Sequence, residues 1–511
     1  MSDVDPDLSG TRPVVSTSQA ASVLVFGNVL ATLADVVVPL LIVRLTGKHE
    51  VATLMSLLLV YNTVALVVLT GFPQVLTYFL PGRPRTERAA ITRRVVRLVM
   101  GLGVIATGLL FLLGASSEAL FSALSWVDEG QRTDISPLML VSLVALGDLP
   151  ARLLPNLLVA EHRPRVAAGY GALRSLGVSI ATALPVALGY GPWTVGAALV
   201  GVAVFQLAFL AWQMHRLYGD VPPSPAPLAA RELFRFAMPL GITDIVSLLN
   251  NKFDAYLILF IFSDAAFADY RAGGWQIPIV TQVPYMVGTA LAPRLVILFG
   301  AGKAHEAIAL WRESIGKVAL LTVPVTLVFV VAADDAVQVL FGPEYARSAD
   351  VLRWYALLGV GRVAAFGTVI VAAGRPRLVM RAAALSLLSN VAISLPLLWW
   401  LGFIGPAMGT FLAFVPMVFY YCWCIARASG LRFREIFPLV AYAKVLAVAL
   451  VGVAAALVFR ANVDWTAGWA FSAQFVIVLG TFAAVGSAVG IITRADWSFM
   501  GGWLRLRMLR R

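Results

Sequence analysis

Apolar stretches of membrane length recur fourteen times along the chain, with short polar loops between them. They run at 20–43, 51–80, 95–115, 137–160, 166–188, 194–214, 236–262, 273–299, 316–333, 351–373, 378–400, 404–426, 437–459 and 468–493. About 20 helical residues cross a hydrocarbon core of ~30 Å. Lipid offers backbone groups no water, so such stretches close their hydrogen bonds internally as helices. The pattern predicts an all-α, polytopic membrane protein with 14 transmembrane helices.

The basic residues agree with that count. With the N-terminus in the cytoplasm, 27 of the 39 Lys and Arg residues fall on the inner tails and loops. The densest groups are Arg83–Arg97, Arg375–Arg381, Arg427–Lys444 and Arg494–Arg511. Seven fall outside, namely Arg44, Lys48, Arg132, Arg271, Arg347, Arg353 and Arg460. This asymmetry is the positive-inside rule, and the loss of one span would scramble it. Both termini are therefore expected in the cytoplasm.

Composition adds little to the class but excludes others. Sixty per cent of residues are hydrophobic and 13% charged, with a net charge of +12. Inner loops facing anionic headgroups account for that charge, so nucleic acid is not an expected partner. No cleavable signal peptide is visible, because residues 1–18 are polar and the first span exceeds a signal core. Cys422 and Cys424 point apart at i, i+2 on one helix, which argues against a disulfide.

The chain repeats itself. VAEHRPR (159–165) returns as VAAGRPR (371–377), an offset of 212. Each copy is followed by a Leu-Pro inside a span (184–185 and 395–396) and then a Gly-Pro turn (191–192 and 405–406). Two parallel halves result, an arrangement used by transporters. The expected divisions are a tail at 1–19, an N-lobe at 20–218, a Pro-rich linker at 219–230, a C-lobe at 231–430, two further helices at 431–493 and a basic tail at 494–511.

Polar residues inside the spans carry the candidate chemistry. A charged group at the bilayer centre costs about 2.5–3.5 kcal/mol on insertion scales, so such residues face partners or cavities. Asp35 lies mid-span with Asn28 on its face. Asp148, Arg152 and Asn156 follow at i, i+4 and i+8. Asp244, Ser247, Asn251 and Asp254 form a stripe along span 7, flanked by Asn250 and Lys252. Arg174 and Arg362 are lone bases at membrane depth. Ser386, Asn390 and Ser394 share one face of span 11, and span 8 holds Gln276, Pro278, Gln282 and Pro284. Arginine holds phosphate bidentately and keeps its charge. Arg152, Arg174, Arg362, Lys252, Asn251, Asn390 and Gln282 are therefore the candidates for binding an anionic, lipid-linked substrate. Asp35, Asp148, Asp244 and Asp254 are the candidates for coupling to H+ or Na+. The alternative for each is an internal structural pair: Arg174 and Arg362 could serve Asp148, Asp244 or Asp254.

There is no GxxxxGK[ST] phosphate loop and no pair of histidines at metal-ligand spacing, so neither an ATPase nor a metal centre is expected. No catalytic residues are expected. Asp128, Glu129, Asp134, Arg347 and Arg353 are the positions on which a membrane glycan polymerase or ligase would depend.

Several longer stretches carry a family resemblance. These are LFRFAMPLGITDIVSLLNNKFDAYLI (233–258), Tyr-Arg-Ala-Gly (270–273), GTALAPRLVILFGAGKAHEA (288–307), LFGPEYARSADVLRWYALLG (340–359) and IGPAMGTFLAF (404–414). In the first half, GNVLATLADVVVPLLIVRLTG (27–47) and LVVLTGFPQVLTYFLPGR (66–83) have a matching cadence. Over about residues 20–460 the chain resembles the Wzx-type polysaccharide flippases of the multidrug/oligosaccharidyl-lipid/polysaccharide exporter superfamily. The resemblance implies two pseudo-symmetric six-helix lobes in a V plus two C-terminal helices. It also implies alternating access in a bacterial inner membrane, carrying undecaprenyl-diphosphate-linked repeat units outward for surface polysaccharide export. The implied partners are the lipid-linked saccharide, membrane lipids and polymerase or export machinery. The drug-exporting branch is similar in fold and often has an essential Asp in helix 1. Asp35 occupies that helix without the branch's surrounding pattern. The lipid II flippase branch is similar too and lines its cavity with several arginines; only Arg152, Arg174 and Arg362 are equivalents in kind here, so the resemblance points less to a peptidoglycan role. The remaining rivals are a cation-coupled multidrug exporter and a glycan polymerase or ligase.

Overall fold

The computed structural model describes residues 37–69, 71–124, 132–225 and 227–493. Helices satisfy the backbone throughout, and no strand occurs among the described residues. In chain order they are α1 (Lys48–Leu69), α2 (Phe72–Phe79), α3 (Arg85–Ala115), α4 (Ser117–Leu124), α5 (Leu138–Val141), α6 (Val144–Ala151), α7 (Leu154–Ala160), α8 (Pro164–Ala187), α9 (Pro192–Tyr218) and α10 (Ala230–Ile261). There follow α11 (Asp264–Gly273), α12 (Pro278–Gly300), α13 (Ala304–Val331), α14 (Ala333–Leu340), α15 (Ser348–Gly361), α16 (Phe366–Ala372), α17 (Pro376–Leu401), α18 (Gly405–Ser429), α19 (Phe433–Ile436), α20 (Leu439–Asn462) and α21 (Ala467–Ala488). Residues 37–45, the end of the first expected span, are also helical. Every later span has a helical counterpart.

Among the described residues, nine helical stretches are long and apolar enough to cross a membrane. The segments 138–160, 164–187 and 230–261 are not among them. The first is divided into short helices, and the other two carry charged residues inside the span. They are also the segments that hold most of the candidate chemistry.

Three expected spans are broken rather than continuous. Span 2 turns at Gly71, whose φ of 69° is left-handed, and Pro73 opens the next helix. Span 4 is divided into α5, α6 and α7. Pro155 has no N–H for the carbonyl of Ala151 four residues back, and that carbonyl accepts from the Tyr170 hydroxyl instead, at 3.3 Å. Span 10 opens between α15 and α16, at residues 362–365.

The chain forms two compact units. Of the described residues, unit 1 takes those within 37–39, 60–117 and 135–242. In it α9 packs on α6 and α8, and α3 packs on α6. The Pro-rich stretch after α9 is pinned to this unit by α3. Arg93 donates to the carbonyls of Tyr218 and Val221, each at 2.8 Å, and Arg85 pairs with Asp220 at 2.7 Å. The Arg85 guanidinium holds the Asp220 carboxyl below its ordinary range. These bonds explain why the boundary falls inside α10, at residues 242–243, rather than in 219–230.

Unit 2 takes residues 40–59, 118–124, 132–134 and 243–493. Its core gathers Trp311, Phe366, Tyr421 and Ile425, with Phe366 stacked on Tyr421 at 5.8 Å. Residues 40–59 are clamped to it by charge. Arg44 donates to the carbonyls of Gln338, Val339 and Leu340, where a helix C-terminus attracts a cation. Lys48 pairs with Asp269 at 2.6 Å, and His49 bonds Asp264 at 2.6 Å. The last two helices are tied in by Asp335, which accepts from Arg460 at 3.1 Å and from Gln474 at 2.7 Å. Asp335 and Gln474 are both buried. Asp335→Ala takes one of its two acceptors from the buried Gln474 amide, which keeps the Ala470 carbonyl at 3.2 Å, and is expected to cost about 2 kcal/mol, read as a lower melting temperature of the purified protein.

Candidate functional site

Each unit holds a buried polar cluster centred on an aspartate of the candidate set. In unit 1 the centre is Asp148, 3% exposed, on α6. Its Oδ2 accepts from Tyr61 Oη at 2.7 Å and from Arg152 Nε at 2.8 Å. Its Oδ1 accepts from Arg174 Nη2 at 2.7 Å and Nε at 3.2 Å. Arg152 also reaches Asn62 Oδ1 at 3.5 Å. Tyr170, one turn before Arg174, stacks on Phe209 at 5.3 Å.

Among the described residues the charges of this cluster do not cancel: one carboxylate faces two guanidinium groups, which leaves a net positive charge. The Arg152 and Arg174 side chains remain 21% and 30% exposed. Each guanidinium has five N–H donors and places only part of them on Asp148. Both arginines are thus oriented by a buried acid while keeping donors free for an anion. Gly147 makes this placement possible, since a Cβ there would run into the carbonyl of Ala203 on α9. Gly147→Val is expected to cost about 1–3 kcal/mol by forcing α6 off α9, measured as a loss of melting temperature.

In unit 2 the centre is Asp254, 2% exposed, on α10. Its Oδ2 accepts from Tyr270 Oη and Thr410 Oγ1, each at 3.3 Å. Thr410 Oγ1 also lies 3.4 Å from Asn390 Oδ1, which accepts from Ser394 Oγ at 2.7 Å. Asn390 Nδ2 donates to the Asn250 carbonyl at 3.1 Å, and Ser386 Oγ to Asn250 Oδ1 at 3.2 Å. Gly409 lets α18 approach α17, because a Cβ there would strike Ser394. Asp254 has no cationic nitrogen within 4.0 Å among the described residues. Its Oδ1 accepts from the Ala255 N–H at 2.8 Å. A buried carboxyl with only neutral hydrogen-bond donors and neighbouring hard oxygens is chemically suited to a proton or a small cation.

The structure unites some expected residues and separates others. Asp148, Arg152 and Arg174 converge, whereas Asn156 is outside their hydrogen-bond network. Ser386, Asn390 and Ser394 do share one buried face. The span 7 stripe divides: Asp254 is buried, while Asp244 and Asn251 are exposed. Lys252 and Gln282 are half-buried and outside both networks. Arg362 sits at the break after α15, beside Trp275, Gln276, Tyr355 and Gly359. Asp35, Asn28, Asp128 and Glu129 lie outside the described residues. Arg353 is taken by Asp350 and Asp334, and Arg347 lies over the Phe403 ring. Tyr61, Tyr270 and Thr410 complete the clusters and were not singled out from sequence. A tyrosine-asparagine pair in the middle of an apolar span was the available signal for the first.

Residues 18–299 match the sequence profile described as polysaccharide biosynthesis protein. The chain belongs to that family. Residues 275–477 match a second profile, described as lipid II flippase MurJ. No curated protein matches the chain in sequence. Among solved structures, the fold is similar to a lipid II flippase MurJ in an inward closed conformation. That pair shows 14% identity, a TM-score of 0.69, and coverage of 93% of this chain and 99% of that one. It is also similar to an inward-facing multidrug resistance MATE family transporter of the MOP superfamily, at 14% identity and TM-score 0.61, covering 78% and 95%. A MOP superfamily transporter from Pyrococcus furiosus follows at 13% identity and TM-score 0.56, covering 81% and 95%. The family member described here is thus a multi-pass, all-helical membrane protein with a MurJ- and MATE-like fold.

Proposed function

We propose that this protein is a flippase for undecaprenyl-diphosphate-linked oligosaccharide repeat units, moving them from the cytoplasmic to the outer leaflet by alternating access. The observation that carries the reading is the pair of guanidinium groups held on Asp148 with net positive charge and donors to spare. Arginines placed in this way suit a diphosphate, whose oxygens accept paired N–H donors. The family assignment and the fold support a lipid-linked substrate. Arg362 is a further candidate contact.

Asp254, with Asn390, Thr410 and Tyr270, is the proposed proton or Na+ site. Cation binding there would supply differential free energy between two conformations, which transport against a gradient requires. The basic loops belong in the cytoplasm, and the cell membrane of a bacterium is the proposed location. Product would pass to a polymerase or export machinery on the outer side.

Mass spectrometry of lipid-linked saccharides in a strain depleted of the protein tests the proposal. Complete repeat units should accumulate on undecaprenyl diphosphate and stay facing the cytoplasm. Normal arrival in the outer leaflet with loss of polymer alone would make the protein a polymerase or ligase. No change in any lipid-linked species would favour drug export.

A further inference from the structure

A second basic feature lies in unit 2 and shares no residue with either buried cluster. A cavity of about 840 Å³ opens where α13, α19, α20 and α21 meet. Its polar wall carries Arg312, Lys317, Arg434 and Lys444, against one acid, Glu313. Glu313 is taken by Lys317 at 2.7 Å. Arg312, Arg434 and Lys444 are exposed and make no ion pair or side-chain hydrogen bond among the described residues. Three cations therefore face one cavity without counter-charge.

The cavity sits at a polar–apolar boundary. Lys317 is the last charge in α13, and residues 318–331 carry none. Lys444 is likewise the last charge in α20 before Arg460, sixteen residues on. Leu439, Val440 and Val489 line the same cavity and are 60%, 72% and 63% exposed. Free phosphate would need the cations but not this apolar rim. A phosphate joined to acyl chains would use both. Gly316 and Gly490 leave room, since a Cβ at either meets nothing within 4 Å.

We propose that this cavity binds the phosphate headgroup of an anionic glycerophospholipid, with Arg312, Arg434 and Lys444 on the phosphate and Leu439, Val440 and Val489 along the first acyl carbons. The site is distinct from the arginines on Asp148 and does not depend on the substrate assigned to them.

Native mass spectrometry of the purified full-length protein tests it, with phosphatidylglycerol as probe and phosphatidylethanolamine as the zwitterionic control. The triple variant Arg312→Gln, Arg434→Gln, Lys444→Gln should bind phosphatidylglycerol at least tenfold more weakly. Gly316→Leu keeps every charge and places a bulky side chain in the cavity between Arg312 and Lys317, and should weaken binding to a similar degree. Phosphatidylethanolamine should bind weakly to all three proteins. Unchanged phosphatidylglycerol affinity in the triple variant would overturn the role of the cations. Unchanged affinity in Gly316→Leu would show surface charge without a site and overturn the proposal equally. Displacement of the lipid by inorganic phosphate alone, or a marked preference for undecaprenyl phosphate that the variants abolish, would assign the cavity to another ligand. The replaced side chains are exposed, so melting temperatures should match the parent. If the triple variant fails to fold, Arg434→Gln and Lys444→Gln singly give the same reading.

Discussion

Asp148→Ala is expected to destabilise the protein by about 3–5 kcal/mol and to abolish transport. The carboxylate is the shared acceptor for Tyr61, Arg152 and Arg174, and it is almost fully buried. Its removal strands two guanidinium charges beside each other in a poorly solvated region. Asp148→Asn raises the local charge in the same way and adds a donor where donors already crowd. Combining Asp148→Asn with Arg174→Gln returns the net charge to its original value. The double variant should therefore regain much of the melting temperature lost in the single one. It should not regain transport, because one of the two proposed phosphate contacts is gone. Tyr61→Phe, which removes one hydrogen bond to a charged group, should cost about 1.5–3 kcal/mol and leave transport measurable. Recovery of transport in the double variant would reduce Arg174 to a structural partner of Asp148.

Asp254→Asn is expected to do the opposite: leave the fold intact and remove ion-driven transport. The amide oxygen can still accept from Tyr270 and Thr410, while the amide nitrogen takes the place of the oxygen that accepts from the Ala255 N–H at 2.8 Å. Losing that bond costs about 1 kcal/mol and relief of the buried charge offsets it, so the melting temperature should stay close to the parent's. Transport driven by a proton or Na+ gradient should fall at least tenfold and lose its dependence on that ion. Gradient-driven transport at the parent rate would assign Asp254 a structural role only. Thr410→Val, which removes one neutral oxygen while keeping shape, should weaken the ion dependence without abolishing it.

The helical class and the positions of the spans were legible because hydrophobic length is a strong signal in a chain that crosses lipid. The breaks inside spans were less legible. Pro155 announced one, but the partner for the released Ala151 carbonyl came from Tyr170 on another helix, which spacing along one segment cannot reveal. The same limit governs the site. Asp148 and Arg152 are four residues apart and read as a pair. Arg174 joins them from α8, and Tyr61 from α1, through tertiary packing alone. The span 7 stripe illustrates the reverse case. Helical spacing placed Asp244, Asn251 and Asp254 on one face, yet α17 and α18 cover only the end holding Asp254, so the stripe divides between buried and exposed surroundings. The Pro-rich stretch read as a joint because prolines stiffen a chain. Its attachment to unit 1 depends on Arg85 and Arg93, whose partners are backbone carbonyls and one aspartate that no motif marks.

The central claim is translocation of a lipid-linked saccharide, and the most direct test is reconstitution. Purified protein in vesicles would be loaded with a fluorescent undecaprenyl-diphosphate saccharide, and the fraction reachable by an impermeant sugar-modifying reagent would be followed in time. The account predicts that the protein exposes inner-leaflet substrate, and that Asp148→Asn with Arg152→Gln and Arg174→Gln, which removes the buried acid together with both partners, stops it without loss of folded protein. Vesicles with the parent protein that behave as empty ones under an imposed proton or Na+ gradient would contradict it.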